Sequence, residues 1–280
     1  MRGTGCGGGP RRARCGDRGD DGAVPSTFVK RAPGAPPGAL AAEAAGLRWL
    51  AAAGGVRVCP VLEVAPDHLV LERVEPVRPD AAEAEAFGRH LAATHAAGAP
   101  RFGAPPPGVE GDAWIAAAPL PMTTAPTPWG AFYAEHRLRP YLRRAVDAGT
   151  LDAGDARVVD RVCERLAAED PALVAGVQRP ARLHGDLWSG NVLWSAAGAV
   201  LIDPAAHGGH PETDLAMLAL FGLPHLETVL GAYAEAAGMT PGRRERVPLH
   251  QLHPLLVHTV LLGGGYAAPA LAAARAAVAL

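Results

Sequence analysis

Three polar residues in the second half of the chain have types and a spacing that would support phosphoryl transfer. Asp186 and Asn191 lie five positions apart, and Asp203 follows twelve positions after Asn191. A carboxylate can orient an attacking hydroxyl and accept its proton, while amide and carboxylate oxygens are the hard ligands that Mg²⁺ prefers. The pattern predicts Asp186 as the catalytic base of an ATP-dependent transfer and Asn191 and Asp203 as ligands of Mg²⁺.

Short apolar strands are expected to hold these residues in place. Segments 192–194 and 199–202 are apolar and are separated by small residues, which favours a hairpin that leads to Asp203. An ordinary hairpin with polar turn residues is the alternative. The complete string His-Gly-Asp-x-x-x-x-Asn, followed by Ile-Asp-Pro at a strand end, is more specific than such a hairpin requires and favours an active site.

Lysine occurs once in the chain, at Lys30, although Lys and Arg together number 26. Lys30 lies in a predicted strand over Ala23–Arg31. An ammonium group is a compact charge that the wider guanidinium does not replace. A protein-kinase-like fold places a strand lysine at this point, and that resemblance implies that Lys30 binds the α and β phosphates of ATP. Glu43, in the first turns of a predicted helix over Leu40–Ala53, is predicted to pair with Lys30; a favourable charge near a helix N-terminus is the alternative.

The next segments favour two strands that lead out of this part of the chain. Val56–Val64 and Leu69–Arg73 are apolar and flank the turn residues Pro66-Asp67. In a protein-kinase-like fold the second strand would lead into the hinge between the lobes, and the resemblance then implies that the backbone groups from Glu72 to Val74 face the adenine of ATP. An ordinary edge strand is the alternative.

The remainder is predicted to be mainly helical. Residues 98–128 are rich in Pro and are expected to form a loop-dominated insertion, and 207–210 a Gly/His loop. Trp114 and Trp129 could shape a substrate entrance, and anchoring in the core is the alternative. Asp214 is expected to cap a helix or to brace the catalytic loop. Helices are predicted over Asp80–Ala97, Trp129–Ala148, Asp155–Glu169, Leu215–Phe221 and, with breaks at Pro241, Pro248 and the triple glycine, from His225 to Leu280.

Composition excludes several classes of protein. The net charge is −2, which does not suit a nucleic-acid partner. The four cysteines form no Cys-x-x-Cys pair, which indicates reduced thiols in a cytoplasmic protein. The most apolar stretch, Val257–Ala274, contains three glycines and a proline and reads as a packed terminal segment instead of a membrane span. We expect a monomer.

The chain resembles the fructosamine kinase (ketosamine-3-kinase) family, which is itself similar to aminoglycoside phosphotransferases and protein kinases. The most specific matching string is Leu-His-Gly-Asp-Leu-Trp-Ser-Gly-Asn-Val-Leu over residues 183–193. The matches cover roughly residues 23 to 270. Shorter matching strings are Phe28–Lys30, Ala42–Ala44, Leu69–Glu72, Leu201–Ala205, Asp214–Leu218 and Gly263–Tyr266.

The resemblance implies an α+β, bilobal protein-kinase-like fold. A small β-rich N-lobe would span residues 23–75 and a larger, mainly helical C-lobe residues 76–280. The implied reaction is ATP- and Mg²⁺-dependent phosphorylation of the 3-hydroxyl of a ketoamine, carried either by a small molecule or by a glycated protein amine. Trp188, within the most specific string, is a candidate for contact with the sugar, and packing behind the loop is the alternative.

The start of the chain departs from the family pattern. Residues 1–22 are rich in Gly and Arg, lack an alternating apolar pattern and are predicted to be a divergent or disordered segment. The string Gly3-x-Gly5-x-x-Gly8 matches a phosphate-binding loop, but it lacks the upstream strand that such a loop requires. The family's Gly-rich loop is therefore not recognisable.

Three other functions compete with this interpretation. An aminoglycoside-type or other small-molecule kinase would use the same catalytic residues. A pseudokinase that binds nucleotide without turnover is suggested by the unusual N-terminal segment. A metal hydrolase would draw its ligands from His184, Asp186, Asp203, His207 and His210, although these residues lack the usual spacing of histidine ligands.

Overall fold

The computed structural model describes residues 26–176, 179–238 and 241–280. The predicted tail over residues 1–22, its glycine string and the predicted start of the first strand lie outside the described residues. Cys59 and Cys163 are buried and free.

The first half of the chain carries a small sheet, one covering helix and a longer helix. Its elements, in chain order, are β1 (Thr27–Arg31), α1 (Ala39–Ala51), β2 (Arg57–Val58), β3 (Val61–Val64), β4 (His68–Glu72), α2 (Ala81–Ala96), β5 (Ala113–Ile115), β6 (Ala118–Leu120) and α3 (Trp129–Phe132).

The second half carries the predicted catalytic string, residues 183–193, and most of the helices. A π-helical segment (Tyr133–Leu138) continues α3. The remaining elements are α4 (Arg139–Asp147), α5 (Ala153–Ala167), α6 (Pro171–Val174), β7 (Ala181–Leu183), β8 (Val192–Ser195), β9 (Gly198–Leu201), β10 (His207–Gly209), α7 (Pro211–Phe221), α8 (Leu226–Ala237), α9 (Arg243–Leu262) and α10 (Ala267–Val278).

The small sheet is antiparallel, with β4 between β1 and β3. Lys30 pairs with Leu69, and Leu69 and Leu71 of β4 are buried with residues of α1 and α2 in one apolar core cluster. The predicted strand 56–64 is divided instead of continuous. Because Pro60 has no amide hydrogen to donate, the ladder is interrupted there, and β2 and β3 pair with different strands.

Strand β2 connects the small sheet to the hairpin of the catalytic string. Arg57 and Val58 pair in parallel with Val200 and Leu201 of β9, and β9 pairs with β8 in an antiparallel hairpin. The amide of Cys59 extends the pairing to the Leu201 carbonyl at 2.9 Å. The predicted hairpin is therefore present, and it is held on one side by the N-terminal part of the chain.

Two of the longer helices begin at the acidic residues that the sequence provides. Asp80 accepts a hydrogen bond from the Glu83 amide, and the Glu83 carboxylate accepts one from the Asp80 amide. Asp152 and Asp155 form the same reciprocal arrangement at the start of α5. Each pair satisfies amides that have no partner within the helix.

Residues 98–128 are mostly irregular, as expected, apart from two strands of three residues each. The insertion contains the hairpin β5–β6, in which Ile115 pairs with Ala118. Ala113, Ile115 and Leu120 are buried in the C-terminal core, while Trp114 lies on the opposite face and is half-buried. The predicted Gly/His loop at 207–210 is wrong, because residues 207–209 form β10 against β7.

The expected break at Pro248 does not occur. Helix α9 continues through Pro248 and Pro254. A proline leaves the carbonyl four residues earlier without its helical partner, and for Pro254 that carbonyl belongs to His250. The buried Tyr133 hydroxyl lies 3.2 Å from the His250 oxygen and 3.0 Å from that of Leu249. A side chain from another helix therefore supplies the missing donor.

None of the helices in the described part of the chain is both long enough and apolar enough to cross a bilayer.

Close packing of α2 against α8 makes Gly88 a sensitive position. A methyl group at Gly88 would collide with the Val229 carbonyl oxygen, whereas one at Gly231 of α8 would meet nothing within 4 Å. We expect Gly88→Ala to lower the free energy of unfolding by about 1–3 kcal/mol. Gly231→Ala should raise it by up to about 1 kcal/mol, because alanine favours the helix.

Denaturant unfolding of the two variants measures both effects. Equal stability of the two variants would contradict the packing observed between α2 and α8.

Candidate active site

The single lysine of the chain lies between two carboxylates. Lys30 Nζ donates to Glu43 Oε2 at 2.8 Å and Oε1 at 2.9 Å, and to Asp203 Oδ1 at 2.9 Å. Burial by itself would lower the pKa of Lys30, but the two carboxylates outweigh it and the pKa is raised. The predicted Lys30–Glu43 ion pair is thus present, and it extends to the residue at the end of the catalytic hairpin.

Asn191 links the other two predicted site residues. Its side-chain amide donates to the Asp186 carbonyl at 2.8 Å and to Asp186 Oδ2 at 3.2 Å, and it lies 3.4 Å from the Asp203 carbonyl. Asp203 itself adopts a left-handed backbone with φ 51°, which is uncommon for a residue other than glycine and occurs often at functional sites. The three residues that the sequence spacing singled out therefore lie together.

His184 fixes the backbone on both sides of the hairpin. Its Nε2 donates to the Ile202 carbonyl at 2.9 Å, and its Nδ1 accepts from the Asp186 amide at 3.3 Å. This arrangement assigns the hydrogen to Nε2 in the neutral ring. Both ring nitrogens are used within the loop, so His184 has none left to bind a metal.

Asp214 braces the catalytic loop, as expected from the sequence. Its two carboxylate oxygens accept from the His184 amide at 2.8 Å and the Gly185 amide at 3.0 Å. His95 Nε2 lies 3.1 Å from the same carboxylate, and Tyr233 Oη lies 2.9 Å from His95 Nδ1. Burial would raise the pKa of Asp214, but the hydrogen bonds and charges of its neighbours outweigh it and the pKa is lowered.

These side chains open into one cleft. A cavity of about 500 Å³ is lined by Lys30, Glu43, Asp186, Trp188, Asn191 and Asp203, and also by the loop that leads from β1 to α1. Burial is the main cause that raises the pKa of Asp186.

The two tryptophans considered for the entrance have different places. Trp114 of the β5–β6 hairpin lines this cavity, whereas Trp129 is buried in the C-terminal core. The sequence could not separate the two, because the hairpin that carries Trp114 to the cleft was expected to be a loop.

Glu72 and Val74 are placed differently. Neither is among the described residues that line this cavity. The Glu72 amide donates to the Pro60 carbonyl at 3.1 Å, and its carboxylate pairs with Arg57 at 2.8 Å. Val74 is half-buried against the apolar cluster that contains β4 and α1. Their contact with adenine stays a prediction.

Trp188 begins a row of aromatic side chains beside the cleft. It is 39% exposed, and its ring centroid lies 6.0 Å from that of Phe221. His258 follows at 5.3 Å from Phe221, and Tyr266 at 4.9 Å from His258. The exposure of Trp188 disfavours a purely internal packing role. Sequence reasoning missed Phe221 and His258, because residues spaced along two helices carry no local motif.

The geometry does not support the metal-hydrolase alternative. Among the described residues, one group of three side chains has metal-ligating atoms close together, and it consists of His210, Glu212 and His250. It contains neither His184 nor the two aspartates that the alternative required. His207 Nδ1 is engaged with the Ala205 carbonyl at 2.8 Å.

Comparison with known proteins identifies the relatives of this chain. A model of the fructosamine kinase family matches residues 20–278. The crystal structure of a candidate fructosamine-3-kinase from Thermobifida fusca is similar with a TM-score of 0.84 and 48% identity, covering 91% of this chain and 86% of the other. A probable ketoamine kinase of Synechocystis is 36% identical over 230 residues, which are 80% of this chain and 74% of the relative.

A more distant structure shares the fold alone. A choline/ethanolamine kinase family protein from Mesorhizobium loti is 18% identical, with a TM-score of 0.55 over 90% of this chain and 82% of the other. Fold and cleft therefore define a kinase-like phosphotransferase with a small strand-containing N-lobe and a helical C-lobe. The chain belongs to the fructosamine kinase family. It is an ATP-dependent kinase, a class that works with a divalent metal ion.

The turn of the catalytic loop requires glycine at position 185. Gly185 has φ 83°, and a methyl group there would collide with the Ala205 carbonyl. Gly198 has φ 97° but meets nothing within 4 Å, so it serves as a matched control for backbone strain alone. We expect Gly198→Ala to cost about 1–2 kcal/mol of unfolding free energy. Gly185→Ala should cost more and should also reduce kcat, because the collision displaces the loop.

Chemical unfolding and steady-state kinetics of both alanine variants test this expectation. A Gly185→Ala protein with the stability and kcat of Gly198→Ala would show that the loop does not need the close approach to Ala205.

Proposed function

We propose that this protein transfers the γ-phosphoryl group of ATP to a sugar hydroxyl of a ketoamine, either a small molecule or a glycated protein amine. The observation that carries the proposal is the continuous set of contacts from Glu43 through Lys30 and Asp203 to Asn191 and Asp186. Membership of the fructosamine kinase family and relatives named as ketoamine kinases support the substrate class.

Asp186 is the proposed base. Its carboxylate lies in the cleft, and the raised pKa that burial produces makes it a better proton acceptor than an exposed aspartate. Its Oδ2 and carbonyl oxygen are both held by the Asn191 amide, which limits rotation of the side chain. The role of Asp186 is to orient the attacking hydroxyl and to take its proton as the phosphoryl group is transferred.

Asn191 and Asp203 are the proposed ligands of Mg²⁺. The Asn191 amide nitrogen donates within the loop, which leaves Oδ1 as its atom for a cation, and Asp203 contributes a carboxylate. These oxygens suit a hard cation, which would neutralise charge on the phosphates when bound. Lys30, oriented by Glu43, is the proposed partner of the α and β phosphates.

The acceptor and the adenine are assigned to different features of the molecule. Trp188 offers an exposed aromatic face close in sequence to Asp186, and Phe221 beside it extends that face. We assign sugar contact to Trp188 on this basis. The backbone from Glu72 to Val74, which follows the central strand β4, is assigned to adenine.

Turnover with a small panel of acceptors tests the function. ADP release should accelerate with a fructosamine or ribulosamine and should not accelerate with an aminoglycoside or with buffer alone.

Asp186→Asn should lower kcat by about 10²–10⁴-fold, because it removes the proton acceptor, while ATP affinity stays near that of the parent. Near-normal turnover of Asp186→Asn would exclude Asp186 as the base. In the acceptor panel, stimulation by the aminoglycoside and by no ketoamine would favour an aminoglycoside kinase instead.

Lys30→Arg tests the phosphate site with a change that keeps the charge. All other lysine or arginine positions in this chain are arginine, so arginine is its usual basic residue. A planar guanidinium cannot take the place of an ammonium that donates to Glu43 and Asp203 at once. We expect kcat/KM for ATP to fall by about 10²-fold, which corresponds to about 2.7 kcal/mol.

Melting curves of parent and variant provide the control for misfolding. A Lys30→Arg protein within about threefold of the parent in kcat/KM would remove Lys30 from the nucleotide site.

A further inference from the structure

A small internal cavity lies beside strands β7 and β10, where Leu183 and Gly209 form part of its wall. Its volume is about 10 Å³, which is about the size that holds one water molecule. The wall also includes Arg137 of the π-helical segment, Trp129, and three histidines, His207, His210 and His253. A cavity of this size is too small for a polyatomic anion such as phosphate.

Arg137 brings a buried positive charge to this cavity. The residue is 1% exposed. Burial lowers the pKa of Arg137 to about 10, so the guanidinium stays charged at neutral pH. Its Nη1 donates to the Pro121 carbonyl at 2.6 Å and the His136 carbonyl at 3.0 Å, whereas Nε has no partner. A buried charge normally requires a counter-charge.

No carboxylate among the described residues accepts a hydrogen bond from Arg137. Glu212 is occupied by both nitrogens that Arg246 directs at it, at 2.6 and 3.0 Å. Asp214 is occupied by His95 and by the amides of the catalytic loop. Asp112 is exposed and accepts from the Met122 amide. The described part of the fold leaves the Arg137 charge without a directly bonded neutralising partner.

Other residues that line the cavity also have nitrogens without a hydrogen-bond partner. Trp129 Nε1, which can only donate, is buried without an acceptor. His210 Nδ1 accepts from the Glu212 amide at 3.0 Å, so the hydrogen of its neutral ring is on Nε2, which is likewise unpartnered although the Ala175 carbonyl lies nearby. Because Nε2 carries the hydrogen and the lone pair of Nδ1 accepts from Glu212, the neutral His210 ring has no lone pair for a metal ion.

We propose that this cavity is a halide site, and that a chloride ion bound there serves as the counter-ion of Arg137. The donors of Arg137 and Trp129 supply what an anion needs. A water molecule would have to place two hydrogens on acceptors as well. His207 Nε2 is available for one of them, since Nδ1 is engaged with the Ala205 carbonyl. Chloride satisfies the donors and supplies the missing negative charge.

The test measures thermal unfolding of the full chain in sodium gluconate with increasing amounts replaced by sodium chloride or bromide at constant ionic strength. A ligand of the folded state alone raises stability as its concentration passes its dissociation constant. We expect the melting temperature to rise and saturate with both halides. Trp129→Phe should raise the half-saturating chloride concentration by about three- to tenfold, the effect of one lost hydrogen bond.

Trp194→Phe is the matched control, because Trp194 is a buried tryptophan in the other core cluster, beside Phe87. Its half-saturating concentration should equal that of the parent. Arg137→Met, if it folds, should lose the halide dependence. Anomalous diffraction from bromide-grown crystals should show one peak beside Arg137. Equal melting in gluconate and chloride, an unchanged response of Trp129→Phe, or a water without anomalous signal would overturn the proposal.

Discussion

The position of the catalytic loop depends on the buried carboxylate of Asp214. Two successive amides, those of His184 and Gly185, donate to its two oxygens, and this fixes the backbone immediately before Asp186. Hydrogen bonds from backbone amides to a carboxylate are among the stronger ones available to a protein. Because Asp214 lies in the first turn of α7, the loop is held by a helix of the C-terminal core and not only by its own hairpin.

The cleft combines two kinds of constraint on charge. Lys30 pairs with both Glu43 and Asp203 where all three are partly buried, which leaves one negative charge in excess, whereas Asp186 has no basic hydrogen-bond partner among the described residues. Burial therefore raises the pKa of Asp186, whereas the two carboxylates raise the pKa of Lys30 and keep it charged. A carboxylate of raised pKa and a charged lysine therefore line the same cleft.

The proximity of Asp186, Asn191 and Asp203 could be predicted, because residues close in sequence around one short hairpin are also close in space. The hairpin β5–β6 could not be predicted, because Ala116 adopts a left-handed conformation in its turn. Asn or Gly is the usual sequence signal for such a turn. The strands of this hairpin are only three residues long, too short for a clear alternation. The course of α9 through Pro254 depends on a distant contact as well, since the Tyr133 hydroxyl that serves the freed carbonyl comes from another part of the chain.

The parallel pairing of β2 with β9 constrains the order in which the protein folds. Arg57 and Val200 are about half of the chain apart, so their contact closes a long loop and forms slowly compared with local helices. During synthesis the first strands leave the ribosome long before their partner exists. The edge at Val58 and Cys59 then stays unpaired until the β8–β9 hairpin has been made, and the N-terminal side of the cleft cannot be completed before that.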